Sequence, residues 1–276
     1  MILSLIGLWF TNPLLSIAQK TDSLSAKRKI IWLSGYGLGY TAGMTALYRS
    51  WYSHYPHSSF HWFDDSNEWE QMDKAGHAFS TFQIAHAYSS TLKWAYYEPK
   101  KAVLYGSLAS FITVSSIEVF DGFSSKWGAS YSDLIANAGG ILLYFSQAYF
   151  TDKTPVRMKL SFHYTNYADM RPDALGENKF EQIVKDYNGQ TYWLSLNFHD
   201  CGIKKFPSWL NIAWGYSAEK LISGTCNDAY RQYFLSLDFN SKSIKTKNKL
   251  LKAHLLWCFE SNKMRFYPEP VYIFSD

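Results

Sequence analysis

A chain of 276 residues has ample material for a hydrophobic core, in one large or two modest domains. Its net charge of +4 is too mild to argue for nucleic-acid binding, and no motif in it does so either. Aromatic residues make up 18% of it, and the apolar body and polar tip of Trp and Tyr suit cores, β-surfaces and membrane interfaces.

The opening stretch, MILSLIGLWFTNPLLSIAQ, is an apolar run closed by the small-x-small pattern Ser16-Ile17-Ala18. It predicts a secretory signal peptide over residues 1–18, a mature chain from Gln19 and export; an uncleaved anchor is the alternative. Export bears on the three cysteines, Cys201, Cys226 and Cys258, because disulfides persist outside the cytosol. Cys201 and Cys226, read as flanking one hairpin, are the possible pair.

Lys27 to Tyr52 predicts a first helix, with Gly35, Gly39 and Gly43 recurring every four residues. Each interior Gly costs about 1 kcal/mol against Ala, so the ridge predicts close approach of a neighbouring helix. The connector 53–70 holds His54, His57, His61, Asp64 and Asp65, residue types that bind metals, but their spacing fits no recognised ligand pattern, so a solvated loop is expected, with a metal site the alternative. A second helix runs from Asp73 to Tyr97 and stops at Glu98-Pro99. Asp73 and His77 share one of its faces, whereas His86 is half a turn out of phase and reads as a packing or surface residue.

The third helix, Ala102 to Phe120, carries Glu118 as its sole charge, and Asp121 follows three residues later. A carboxylate in the last turn meets the negative end of the helix dipole, so Glu118 needs a partner, with Lys74 or His77 the candidates. The fourth helix opens with Ser130-Tyr131-Ser132-Asp133, which resembles a capping box in which Asp133 would satisfy backbone donors. Asp133, Asn137 and Gly140 form one stripe, and Gly139-Gly140 offers a flat face for packing. The three polar stripes, on three successive helices, are expected to converge.

After Thr154 the period changes to two in MKLSFHY, TYWLSLNFH, LNIAWGYSA and YFLSLDFN, which predicts strands. In the second of these Tyr192, Leu194, Leu196 and Phe198 share one face, and Ser195, Asn197 and His199 the other. KDYNGQ carries an Asn-Gly hairpin signal. Residues 241–257 predict a basic amphipathic helix for an anionic membrane face or for the sheet, and the tail PEPVYIFSD a last extended segment. The expected fold class is α+β: a four-helix bundle over 27–152, membrane-embedded or membrane-associated, and an antiparallel β-rich part over 156–276 with one basic amphipathic helix.

Asp73-Lys74-x-x-His77, a Glu ending the next helix, and Ser130-x-x-Asp133-x-x-x-Asn137-x-x-Gly140 resemble the YfiM-like family of bacterial envelope proteins. The pattern is also similar to VanZ-like membrane proteins, which are linked to glycopeptide resistance. Leu-Ser-Leu-Asp and Gly-Tyr-Ser-Ala-Glu in the alternating half look like the longer, exported members from Bacteroidetes-type bacteria. The resemblance implies an envelope protein and carries no catalytic residue with it.

Three functions follow as expectations. The first is an envelope protein whose helices pack in or against a membrane, with Asp73, His77, Glu118 and Asp133 in a buried cluster serving architecture or ligand gating. Lys74, Asp121, Ser130 and Asn137 would support binding there, and membrane lipids and an envelope protein are the expected partners. The second is an enzyme on an envelope lipid or phosphate-bearing glycan, with His77 as general acid or base and the carboxylates tuning it or holding a cation. The third is an outer-membrane β-barrel, for which five or six strands fall short of the eight that the smallest barrels require. No cofactor and no resident metal is expected. An open cleft at His77 would favour the enzyme, and a closed cluster the architectural role.

Overall fold

Trp32, Tyr36 and Tyr40 recur every four residues and decide how the first helix, α1 (Ser23–Leu47), meets the rest of the chain. Trp32 Nε1 donates to Thr91 Oγ1 at 2.9 Å, Tyr40 OH donates to Ser116 Oγ at 2.8 Å, and the rings of Trp32 and Tyr36 both stand edge-on to Tyr88. Large rings hold α1 off its neighbours. The Gly35, Gly39 and Gly43 ridge therefore mediates no close approach among the described residues, and an added methyl at any of them would meet none of these within 4 Å. The computed structural model describes residues 23–53, 55–151, 153–240 and 271–275. The expected signal peptide, the basic segment 241–257, His54 and Cys258 lie outside them.

A π-helical turn, Tyr48–Tyr52, ends α1. The connector then leads through Trp69, Glu70 and Gln71, all with positive φ, into α2 (Met72–Trp94). Helix α3 (Pro99–Gly122) starts on Pro99, with the Glu98 carboxylate accepting the Lys100 and Lys101 N–H groups. Helix α4 (Tyr131–Phe150) is capped by Ser130. Close approach occurs among these three: Gly106 of α3 lies against the Ser89 backbone, and Gly140 of α4 against the Ala78 carbonyl. Phe82, Ala85, Val103, Tyr144 and Ala148 fill the core between them. The helical half is thus three tightly packed helices with α1 alongside, rather than four equal members. Helix α3 is long and apolar enough to cross a membrane, and is also a core helix here.

The second half is an antiparallel meander of five strands in sequence order: β1 (Val156–Phe162), β2 (Gln190–Leu196), β3 (Leu210–Glu219), β4 (Tyr230–Phe239) and β5 (Val271–Ser275). Three short helices, α5 (Tyr167–Met170), α6 (Pro172–Leu175) and α7 (Lys179–Lys185), separate β1 from β2. The Asn-Gly pair forms no hairpin turn. It lies in a 3-10 turn, Tyr187–Gly189, where buried Asn188 donates to the Leu221 carbonyl at 2.9 Å and accepts the Leu221 N–H at 2.7 Å. Cys201 and Cys226 are free thiols, because they flank strand β3 rather than a hairpin and stand at opposite ends of it. Ten residues at about 3.4 Å each lie between those ends.

The sheet seats on α2 through Met72, Tyr192, Ala218 and Leu221, aided by Gln83 donating to the Met158 carbonyl. Away from that contact a row of large apolar side chains faces outward. Leu194, Trp214 and Leu235 pair directly across β2, β3 and β4, and are 44%, 59% and 39% exposed. Leu237, beside Ile212, is exposed too. Ser195, Asn197, Asn211 and Ser236 point the other way and are buried. On that inner face Asp238 accepts from Lys159 Nζ and Ser195 Oγ, each at 2.5 Å, and from Asn211 Nδ2 at 3.2 Å. The alternation is as expected from the sequence; the inner face is mixed, with Trp193, Ala213 and Phe234 buried among these polar groups, while the outer row of Leu194, Trp214, Leu235 and Leu237 is exposed.

Candidate functional site

The first turn of α2, the last of α3 and the first of α4 meet at one end of the bundle. Lys74 is the centre of charge there. Its Nζ lies 2.7 Å from Asp65 Oδ2, 2.8 Å from Asp73 Oδ2 and 3.1 Å from Asp133 Oδ1, so one ammonium pairs with three carboxylates. Burial alone would lower the lysine's pKa, but Asp73, Asp133 and Asp65 raise it beyond its ordinary value. Asp73, largely buried, titrates above the usual range despite Lys74.

Asp65 is the member that the sequence reading placed in a solvated loop. Its Oδ1 accepts from Ser130 Oγ at 2.6 Å and Ser132 Oγ at 2.7 Å. Burial pushes its carboxyl up, and Lys74 with the two hydroxyls more than offsets that, leaving it below its usual range.

Glu118 closes the cap of α4 from another helix. Ser130 Oγ accepts the Asp133 N–H at 3.1 Å, as a capping residue should, but the Ser130 N–H donates to Glu118 Oε2 at 2.8 Å. Asp133 is thereby freed from the capping role that its position suggests. The other Glu118 oxygen, Oε1, is buried with no hydrogen-bond partner among the described residues. Burial lifts the Glu118 carboxyl to about 8 against the bond from Ser130. Burial likewise lifts Asp133 to about 6, held down by His77.

His77 faces both. Its Nε2 is 3.9 Å from Glu118 Oε1 and 3.9 Å from Asp133 Oδ2, too far for a hydrogen bond. Its Nδ1 is 3.1 Å from Asn137 Oδ1, and Asn137 Nδ2 donates to Ser115 Oγ at 3.3 Å. The expected convergence of Asp73, His77, Glu118 and Asp133 is therefore present, with Lys74, Ser130 and Asn137 in direct contact with it. Asp121 stands at its margin, where Tyr52 OH donates to Oδ1 at 2.8 Å and burial lifts the carboxyl to about 7. His86 lies apart, edge-on to Tyr144.

Sequence reasoning missed Asp65, Ser132, Ser115 and Tyr52. Only Ser132 left a signal, as the second hydroxyl in Ser130-Tyr131-Ser132.

Residues 61–148 match the model of a family described as predicted periplasmic lipoprotein (DUF2279). The match takes in every residue of the cluster from Asp65 to Asn137 and stops before the sheet. It is consistent with an exported, envelope-associated protein. No curated protein and no solved structure matches the chain.

Proposed function

We propose that this is an envelope protein seated on a membrane by the outer face of its sheet, whose helical half is locked by the buried acidic cluster around Lys74. The observation that carries this reading is the exposed apolar row Leu194, Trp214, Leu235 and Leu237 across β2 to β4, opposite an inner face where a hydrogen-bonded polar set is buried with Trp193, Ala213 and Phe234. Acyl chains accept such an exterior, and water does not. Contact is face-on, and no helix needs to cross the bilayer for it.

The far end of the helices supports the same reading. The Arg28 guanidinium lies 4.9 Å from the Trp94 ring and 4.7 Å from that of Tyr96, Lys29 lies over Tyr97, and Lys100 over Tyr149. Basic and amphipathic aromatic side chains together suit the headgroup region. The cluster at the opposite end is closed, with Glu118 and Asp133 only 3% and 5% exposed, which suits holding helices better than turnover. Under this reading the likeness to YfiM-like and VanZ-like proteins is one of helical architecture, and the partner is lipid.

Flotation of the mature chain with phosphatidylethanolamine–phosphatidylglycerol vesicles tests it. Wild type is expected to rise with the vesicles. The double variant Trp214→Ser, Leu235→Ser is expected to partition at least about tenfold less, since each large apolar side chain contributes about 1.5 to 3 kcal/mol on burial. Wild-type protein that stays dissolved at the bottom of the gradient overturns the reading.

A further inference from the structure

We infer that His77, Glu118 and Asp133 form a three-ligand site for a divalent first-row transition ion, with zinc the best fit, between α2, α3 and α4. Each offers one atom, and His77 Nε2 and the two carboxylate oxygens all lie within 4.8 Å of one another. Two ligands about 2.1 Å from one tetrahedral ion stand about 3.4 Å apart, so the two 3.9 Å pairs close by about half an ångström, and the Glu118–Asp133 pair, within 4.8 Å, by up to about 1.4 Å, to hold an ion.

Glu118 is what separates this arrangement from an ordinary acidic cluster. It is 97% buried by its 3% exposure, one oxygen is spent on the Ser130 N–H, and the other has no partner among the described residues and is aimed at His77. A buried carboxylate oxygen left in that state is costly unless something binds it.

The imidazole is prepared for an ion as well. Asn137 Oδ1 lies 3.1 Å from His77 Nδ1, and in the tautomer that donates to it Nε2 presents its lone pair toward the carboxylates. A ligating histidine is held in its tautomer by this kind of contact.

The neighbouring group Asp65, Asp73 and Asp133 has comparable spacing, but the Lys74 ammonium already fills it. Asp133 thus lends Oδ1 to the lysine and Oδ2 to the ion. One nitrogen and few protein oxygens disfavour calcium, which takes six to eight oxygens, and magnesium, which prefers an octahedral oxygen shell. His77, with 17% of its side chain exposed, is the most accessible of the three and marks the way in.

The full mature chain in detergent, stripped with chelator, can be titrated with zinc chloride by calorimetry and its bound metal counted. One ion per chain is expected. His77→Gln and Glu118→Gln should weaken binding at least about 100-fold and Asn137→Ala by about 10- to 100-fold, while His86→Gln binds as wild type. Lack of uptake by wild type, or wild-type affinity retained in His77→Gln and Glu118→Gln, overturns the proposal. X-ray absorption at the zinc edge of wild type needs no variant to fold: one imidazole with oxygen ligands is expected, and sulfur or several imidazoles would place the ion elsewhere and refute the site. Vesicle binding does not enter these readouts, so the membrane reading can fail without touching this one.

Discussion

Glu118 connects two helices by accepting the Ser130 N–H, so removing it strands a donor at the cap of α4. Glu118→Ala is expected to cost about 1 to 3 kcal/mol by that loss alone. His77→Ala should also destabilise, and the double variant should depart from additivity by about 0.5 to 3 kcal/mol, as groups in one network do. His86→Ala, in contact with Tyr144 and away from the cluster, should be additive with Glu118→Ala in chemical denaturation. The carboxyls also set a pH dependence for the chelator-treated protein. Glu118, Asp121 and Asp133 are raised to about 8, 7 and 6, so between about pH 5 and 8 the folded state holds more protons than the unfolded chain, and stability falls as pH rises. Asp65, lowered, acts only in acid, and Lys74, raised, only in strong alkali, so neither reverses the slope. Asp73, Tyr52 and His77 also face these groups. Melting temperatures measured from pH 5 to 8 should decline, less steeply in Glu118→Gln.

At the scale of elements, adjacent glycines of α4 separate packing from propensity. A methyl at Gly140 would strike the Ala78 carbonyl and Thr81 Oγ1, whereas one at Gly139 meets nothing within 4 Å. Gly140→Ala should therefore lose about 1 to 3 kcal/mol through overpacking. Gly139→Ala should gain up to about 1 kcal/mol of helix propensity. Thermal unfolding of the two variants side by side gives the comparison. Opposite signs are expected, and equal effects would show that α4 does not lie on α2 at Gly140.

For the whole molecule, the parts legible in the sequence are those that a period can encode. Spacings of three and four put Asp73 with His77, and Asp133 with Asn137, on single faces, and a period of two marked the strands. Asp65 escaped because its connector is aperiodic and its partners, Ser130 and Ser132, lie on a helix more than sixty residues away. Alternation separates Leu194 from Ser195 but does not say which face meets solvent, so the outward apolar face became evident only with α2 in place over one end. The glycine ridge of α1 misled because bulky Trp32 and Tyr36 set the helix spacing instead. Lys74 has a further consequence, in the order of events as the chain opens and closes. Its three acidic partners come from the connector, from α2 and from the start of α4, so the ion set exists only when all three segments have docked. Few partial openings can then release the α4 cap while leaving α2 intact, and these segments should exchange hydrogen as one cooperative unit. In Lys74→Met the amides of Asp133 and Leu134 should exchange by their own local opening, well before those of the mid-helix core around Phe82 and Val103.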